Sequence, residues 1–148
     1  MLLKFYKLIF SLLVIASLAG CATTNSEGGK DFKVNIKAAQ DINPTAEAAN
    51  SPIAITVYQL KTPEEFANAS YLDISQSKIP SIIDHKTWVV WPSKGVQETM
   101  SLWPQTRYLG IVASYANLNN KRWKLIQTMG WFTSSIGIQV MANGINED

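Results

Sequence analysis

The chain contains one cysteine and one histidine in 148 residues. A single thiol excludes an internal disulfide, and with one histidine it cannot furnish the ligands of a structural zinc site. No run of Lys and Arg occurs, and the formal net charge of +2, from 13 basic against 11 acidic side chains, is too small for a nucleic-acid binder. A Gly-rich phosphate loop and a Gly-x-Ser-x-Gly elbow are both missing. So is any apolar stretch of the roughly 20 residues needed to cross a bilayer as a helix. What is plentiful is ordinary hydrophobic content, 47%, which excludes a disordered tail and fits a globular domain. The length allows about one domain.

The first 20 residues read as an export signal. Lys4 and Lys7 form a positive n-region, and the apolar segment 8–19, broken only by Ser11 and Ser17, has the length of an h-region. It ends in Leu18-Ala19-Gly20-Cys21, which looks like a bacterial lipobox. In such a motif the thiol of Cys21 takes a diacylglycerol and, after cleavage, Cys21 becomes the new N-terminus. Acyl chains there would hold the protein to a membrane, because each buried CH₂ contributes about 0.8 kcal/mol. Ala22, where an Asp would signal retention, resembles the outer-membrane sorting pattern of Gram-negative lipoproteins. Residues 21–30 are small and polar and read as a lipidated flexible tether. The folded domain, 31–148, is therefore expected in the periplasm, anchored to outer-membrane lipid. Loss of Lys4 and Lys7 leaves 11 basic and 11 acidic side chains in the mature chain, so the excess charge belongs to export.

Beyond the tether, hydrophobicity follows the period of strands. Residues 31–38 alternate strictly, with Phe32, Val34, Ile36 and Ala38 on one face and Asp31, Lys33, Asn35 and Lys37 on the other. Residues 53–60 are β-branched and apolar, a more central strand. Further strands are expected from Trp88, over 96–103, over 108–115, over 122–127 and over 136–141, the last closing the chain. Thr62-Pro63-Glu64-Glu65 reads as a helix start with Thr62 as cap, followed by a short amphipathic segment carrying Phe66, Ala69 and Leu72 or Asp73. Seven or so short strands around one helical insertion predict an all-β antiparallel sandwich.

Candidate chemistry is sparse. His85 lies beside Asp84 and could serve as a base oriented by a carboxylate, although a turn histidine explains it as well. Glu64 and Glu65 are adjacent acids, but helix capping accounts for both. The protein is thus expected not to be an enzyme and to need no cofactor or metal. Five tryptophans, Trp88, Trp91, Trp103, Trp123 and Trp131, could bind a small ligand or glycan, or could fill and cover a sandwich core. The loop 42–52 is long for a connection between paired strands, where 2–5 residues are typical. From its residues alone it is equally a partner-binding loop or a passive insertion.

Order and spacing together carry a resemblance. A lipobox, an alternating strand, an Asn-Pro loop, Ser51-Pro52 leading into Val57-Tyr58-Gln59-Leu60, a helical segment with Phe66, then Leu109-Gly110-Ile111-Val112-Ala113 and Trp123 follow one another. This resembles the outer-membrane lipoprotein of type VI secretion systems, the TssJ (SciN, VasD) family, over nearly the whole mature chain. The resemblance implies a transthyretin-like antiparallel β-sandwich with a small helical insertion. It also implies a partner, the periplasmic C-terminal region of the inner-membrane protein TssM. The loop between the first two strands would contribute to that contact: Asn43, Pro44, Thr45, Ala46, Glu47, Ala48, Ala49 and Asn50. Thr56-Val57 and Ala116 depart from the family, which often carries basic residues before Tyr-Gln-Leu and after the aromatic at Tyr115.

Overall fold

The computed structural model describes residues 29–148, so the export segment, Cys21 and most of the tether lie outside the described residues. The alternating segment forms β1 (Lys30–Ala38), with Phe32, Val34 and Ile36 buried, Lys33 and Lys37 exposed and Asn35 half-buried. β1 pairs antiparallel with β4 (Gly95–Leu102) and parallel with β7 (Ser135–Met141), and β8 (Gly144–Glu147) completes the sheet in the order β4-β1-β7-β8. The second sheet runs β3 (Ile82–Val90), β2 (Ile53–Leu60), β5 (Tyr108–Ala113), β6 (Lys124–Thr128), all antiparallel. The sandwich is as expected, with one parallel pair and a final strand that the sequence reading omits. Asn143-Gly144, a hairpin signal, was the sign of that strand.

Each sheet contributes one apolar face. Phe32, Val34 and Ile36 of β1 and Ile136, Ile138 and Val140 of β7 belong to one core with Ile53, Ile55 and Val57 of β2 and Leu109 and Ile111 of β5. Tryptophan does not fill this core, contrary to one reading of the sequence: branched aliphatics and Phe32 occupy it, and Trp88 and Trp123 pack only partly buried against it. β3 starts six residues earlier than Trp88, so His85 sits within a strand and not in a turn.

The outer face of the second sheet is covered by the insertion, which is two short helices, α1 (Glu64–Asn68) and α2 (Tyr71–Ser75). Thr62 does not cap α1; Pro63 holds that position with no side-chain bond, and the Glu65 carboxylate instead accepts the Ser81 N–H at 3.1 Å. Ser70 caps α2, accepting the Asp73 N–H at 3.2 Å. Phe66 and Ile74 are the buried anchors, whereas Leu72 faces solvent. Five-residue helices are unstable alone. Burial holds these two, with help from Lys124. Its ammonium donates to the carbonyls of Phe66, Ala67 and Ala69 at 2.9, 2.7 and 3.0 Å, at the end of α1 where carbonyls lack helical partners. Burial pulls the Lys124 pKa below its ordinary value.

Phe66 needs space that only glycine leaves. A Cβ on Gly110 would overlap the Phe66 ring, and the Tyr58 ring packs against Phe66 at a tilt with centroids 5.5 Å apart. The Val-Tyr-Gln-Leu and Leu-Gly-Ile-Val-Ala segments are thus neighbours across the β2–β5 ladder, where Tyr58 opposes Gly110. Gly110→Ala is expected to lower the unfolding free energy in urea by about 1–3 kcal/mol, the usual cost of overpacking. In a Phe66→Ala background that cost should largely vanish. Equal costs in both backgrounds would mean that the ring is not what Gly110 accommodates.

Candidate functional site

The connection between β1 and β2 crosses from one sheet to the other, so it does not join paired strands. The comparison with hairpin loops therefore falls away, but the excess length remains. Sheets stack about 10 Å apart, a gap that three or four extended residues can span. Fourteen residues, 39–52, lie between the two strands.

The surplus is a closed loop on a fixed base. Ile42 is fully buried and its carbonyl accepts the Ser51 N–H at 3.1 Å. Asn43, in the left-handed region at φ 48°, turns its amide inward: Nδ2 donates to the Pro52 carbonyl at 2.9 Å and Oδ1 accepts the Ala116 N–H at 2.7 Å. Short polar side chains tolerate that backbone conformation better than most. Further out, Thr45 Oγ1 accepts the N–H groups of Glu47 and Ala48 at 3.3 and 3.1 Å, and the Thr45 N–H donates to the Ala48 carbonyl at 2.9 Å. Of the eight residues implied by the resemblance, Asn43 is thus a buried latch and Thr45 a half-buried one. Pro44, Ala46, Glu47, Ala48, Ala49 and Asn50 are exposed. At the same end, Trp91 is 60% exposed just beyond β3, and the Ser93 N–H donates to the Ala39 carbonyl at 3.0 Å.

The opposite end is tied by Gln59, a residue that sequence reasoning passed over. It is 1% exposed and points between the sheets. Its Nε2 donates to the Ser101 carbonyl at 2.9 Å, and its Oε1 accepts the Trp103 N–H at 2.8 Å and the Thr106 hydroxyl at 2.7 Å. The one side-chain amide in a largely apolar strand was the available signal. Beside it opens a cleft of about 490 Å³ lined by Lys30, Leu102, Trp103, Arg107, Met129 and Trp131.

The catalytic candidates are not assembled. The Asp84 carboxylate accepts the backbone N–H of His85 at 2.8 Å and the Trp103 indole N–H at 3.2 Å, while the His85 ring stacks on Tyr58 at 5.4 Å. No carboxylate among the described residues orients the imidazole. Among the described residues no group of three or more His, Cys, Asp or Glu side chains could hold a metal ion. The tryptophans do not form one platform. Trp91 lies at the loop end, Trp103 and Trp131 at the other, and Trp123 meets Tyr71 edge-on beneath α2 at 5.6 Å.

The geometry is thus a β-sandwich with a latched loop at one end, and among the described residues no catalytic group is assembled. The chain belongs to the family described as "Type VI secretion lipoprotein, VasD, EvfM, TssJ, VC_A0113", which matches residues 30–142. Among solved structures it is similar to the type VI secretion lipoprotein TssJ1 from Pseudomonas aeruginosa, with 26% identity and a TM-score of 0.72 over 81% of this chain and 95% of that one. It also shares its fold with Serratia marcescens Lip, described as a membrane bound component of the type VI secretion system, at 20% identity and a TM-score of 0.73 over 81% and 96% of the two chains. A third match, at 21% identity and a TM-score of 0.69 over 80% of this chain and 98% of that one, comes from a structure described as the TssM C-terminal domain (869-1107) from EAEC. Comparison with curated proteins finds no match.

Gln59→Leu, which keeps the volume and removes the amide, is expected to cost about 2–3 kcal/mol in urea denaturation, because buried donors and an acceptor lose their partner. An unchanged midpoint would show that water satisfies these groups instead.

Proposed function

We propose that this lipoprotein is held to the inner leaflet of the outer membrane by acyl chains on Cys21 and binds the periplasmic C-terminal region of a TssM-like protein through the loop 43–50. It acts as an assembly component of the type VI secretion membrane complex and not as an enzyme. The observation that carries this reading is the loop itself. Its base is fixed by Ile42 and Asn43, and its tip is exposed, small and nearly uncharged. A pre-organised loop loses little conformational freedom on binding, so a modest surface can hold a partner. Trp91 on the same end offers an aromatic anchor beside it.

The third structural match adds support. Eighty per cent of this chain, about 118 residues, covers 98% of the matched chain, far fewer than the 239 residues that the range 869–1107 spans. The matched chain is therefore smaller than the named TssM domain, and a chain of this size accompanying that domain is what such a complex would contain. Membrane anchoring raises the local concentration of the loop, so the interface need not be tight by itself.

Two measurements test the reading. Cys21→Ser should give a folded protein that no longer fractionates with outer membranes; a variant that still does so without its partner would refute the anchor. Replacing 43–50 by a short Gly/Ser turn should abolish co-purification with the TssM periplasmic region while the unfolding transition persists. Undiminished binding would move the interface elsewhere.

A further inference from the structure

The most exposed large hydrophobic side chains of the described residues are neighbours: Trp131 at 96% and Phe132 at 97%. They are the two central residues of a tight turn. The Thr133 N–H donates to the Gly130 carbonyl at 3.2 Å, and the Thr133 hydroxyl accepts the Gly130 N–H at 3.0 Å. Neither central residue has a positive φ, so the turn presents two aromatic rings without backbone strain. Soluble surfaces carry scattered apolar residues freely, but an aromatic pair at a fixed projecting tip marks an interaction site.

The position of the turn identifies the occupant. β1 begins beside it: the Lys33 N–H donates to the Ser134 carbonyl at 2.9 Å, and the Lys30 ammonium donates to the Thr133 carbonyl at 3.2 Å. Lys30 is nine residues from Cys21, at most about 30 Å of extended chain. This end of the sandwich is therefore the one fed directly by the anchored segment. Lys30 and Arg107 line the adjacent cleft. Both donate to backbone carbonyls, and among the described residues neither forms an ion pair. Aromatic rings beside basic groups match the interfacial zone of a phospholipid bilayer, where Trp is enriched and cations meet lipid phosphates.

We infer that the Trp131-Phe132 turn docks into the same membrane leaflet that holds the acylated Cys21, as a second contact that orients the domain. The inference rests on the anchor reading above. In this arrangement the rings enter the acyl–headgroup boundary, Lys30 and Arg107 lie at phosphate depth, and the loop 43–50 faces away from the membrane at the far end of β1.

The full-length lipidated protein, reconstituted in phosphatidylethanolamine vesicles with a minority of phosphatidylglycerol, gives two separate readouts. Flotation reports the anchor. Quenching of tryptophan emission by brominated acyl chains reports insertion of the turn. The wild type should float and be quenched, Trp131→Ala should float and lose the quenched component, and Trp91→Ala should float and keep it. Flotation without quenching, or quenching indifferent to Trp131→Ala, would overturn the docking and leave the anchor standing. Failure to float would overturn the anchor and the docking with it. If adding the TssM periplasmic region abolished quenching of floated protein, and Trp131→Ala weakened TssM binding, the turn would belong to the partner and not to the lipid.

Discussion

The side-chain amide of Gln59 joins the two sheets at one end of the sandwich, and the geometry of that end depends on it. Two β-sheets packed through apolar side chains have good adhesion but weak control over sliding, because dispersion contacts are non-directional. Hydrogen bonds that cross the interface supply direction. Gln59 reaches from β2 to the end of β4 and to the Trp103–Thr106 connection, with three bonds of 2.7–2.9 Å in a site closed to solvent. It thereby fixes Trp103, whose indole is held in turn by Asp84. At the other end Asn43 does the corresponding work, bonding to Pro52 at the start of β2 and to Ala116 past the end of β5. The interior between these amides is largely apolar, so these two polar residues help set a register that the core alone would leave loose.

This explains why the most recognisable short segments have no catalytic character. In Val57-Tyr58-Gln59-Leu60, Val57 enters the inter-sheet core, Tyr58 and Leu60 enter the cluster beneath the helices, and Gln59 ties the sheets. In Leu109-Gly110-Ile111-Val112-Ala113, Leu109 and Ile111 face the core while Gly110 leaves room for Phe66. One strand thus serves two cores, which is why residues 108–115 look apolar on both faces. A hydrophobic strand without alternation reads as a strand covered on both sides, and here the cover is α1 and α2.

The all-β class, the position of most strands and the existence of a helical insertion were legible because period-two burial is local. What was not legible depended on partners remote in sequence. The parallel β1–β7 pair joins residues about a hundred positions apart, and nothing in either strand specifies it. The Thr62-Pro63-Glu64-Glu65 cap pattern was present, yet Glu65 found the Ser81 N–H, a tertiary bond that local capping rules cannot foresee. His85 looked like a turn residue because Asp84, His85, Lys86 and Thr87 are polar. They lie on an edge strand, where side chains at both faces can reach water. The loop was singled out for its length by comparison with paired strands, a premise that the sheet order removes; its latched base is the better ground. The tryptophans show the limit of composition. Their number says nothing of placement, and three of the five stand exposed at opposite ends.

Those two ends lie on one rigid axis. β1 is nine residues long, about 30 Å, with the chain from Cys21 arriving at its first residue and the candidate partner loop following its last. A flexible tether by itself confines a domain near a surface but leaves its orientation free. Much of the gain in local concentration is then lost to rotations that point the loop toward the membrane. A second contact beside the tether would remove most of those rotations at little entropic cost, because the turn at 130–133 is already closed by its own hydrogen bonds. The physical requirement on such a protein is therefore less a tight binding surface than a stiff rod with differently made ends. The strand that begins the domain runs from the end tied by Gln59 to the end latched by Asn43, and has the form that this requirement selects.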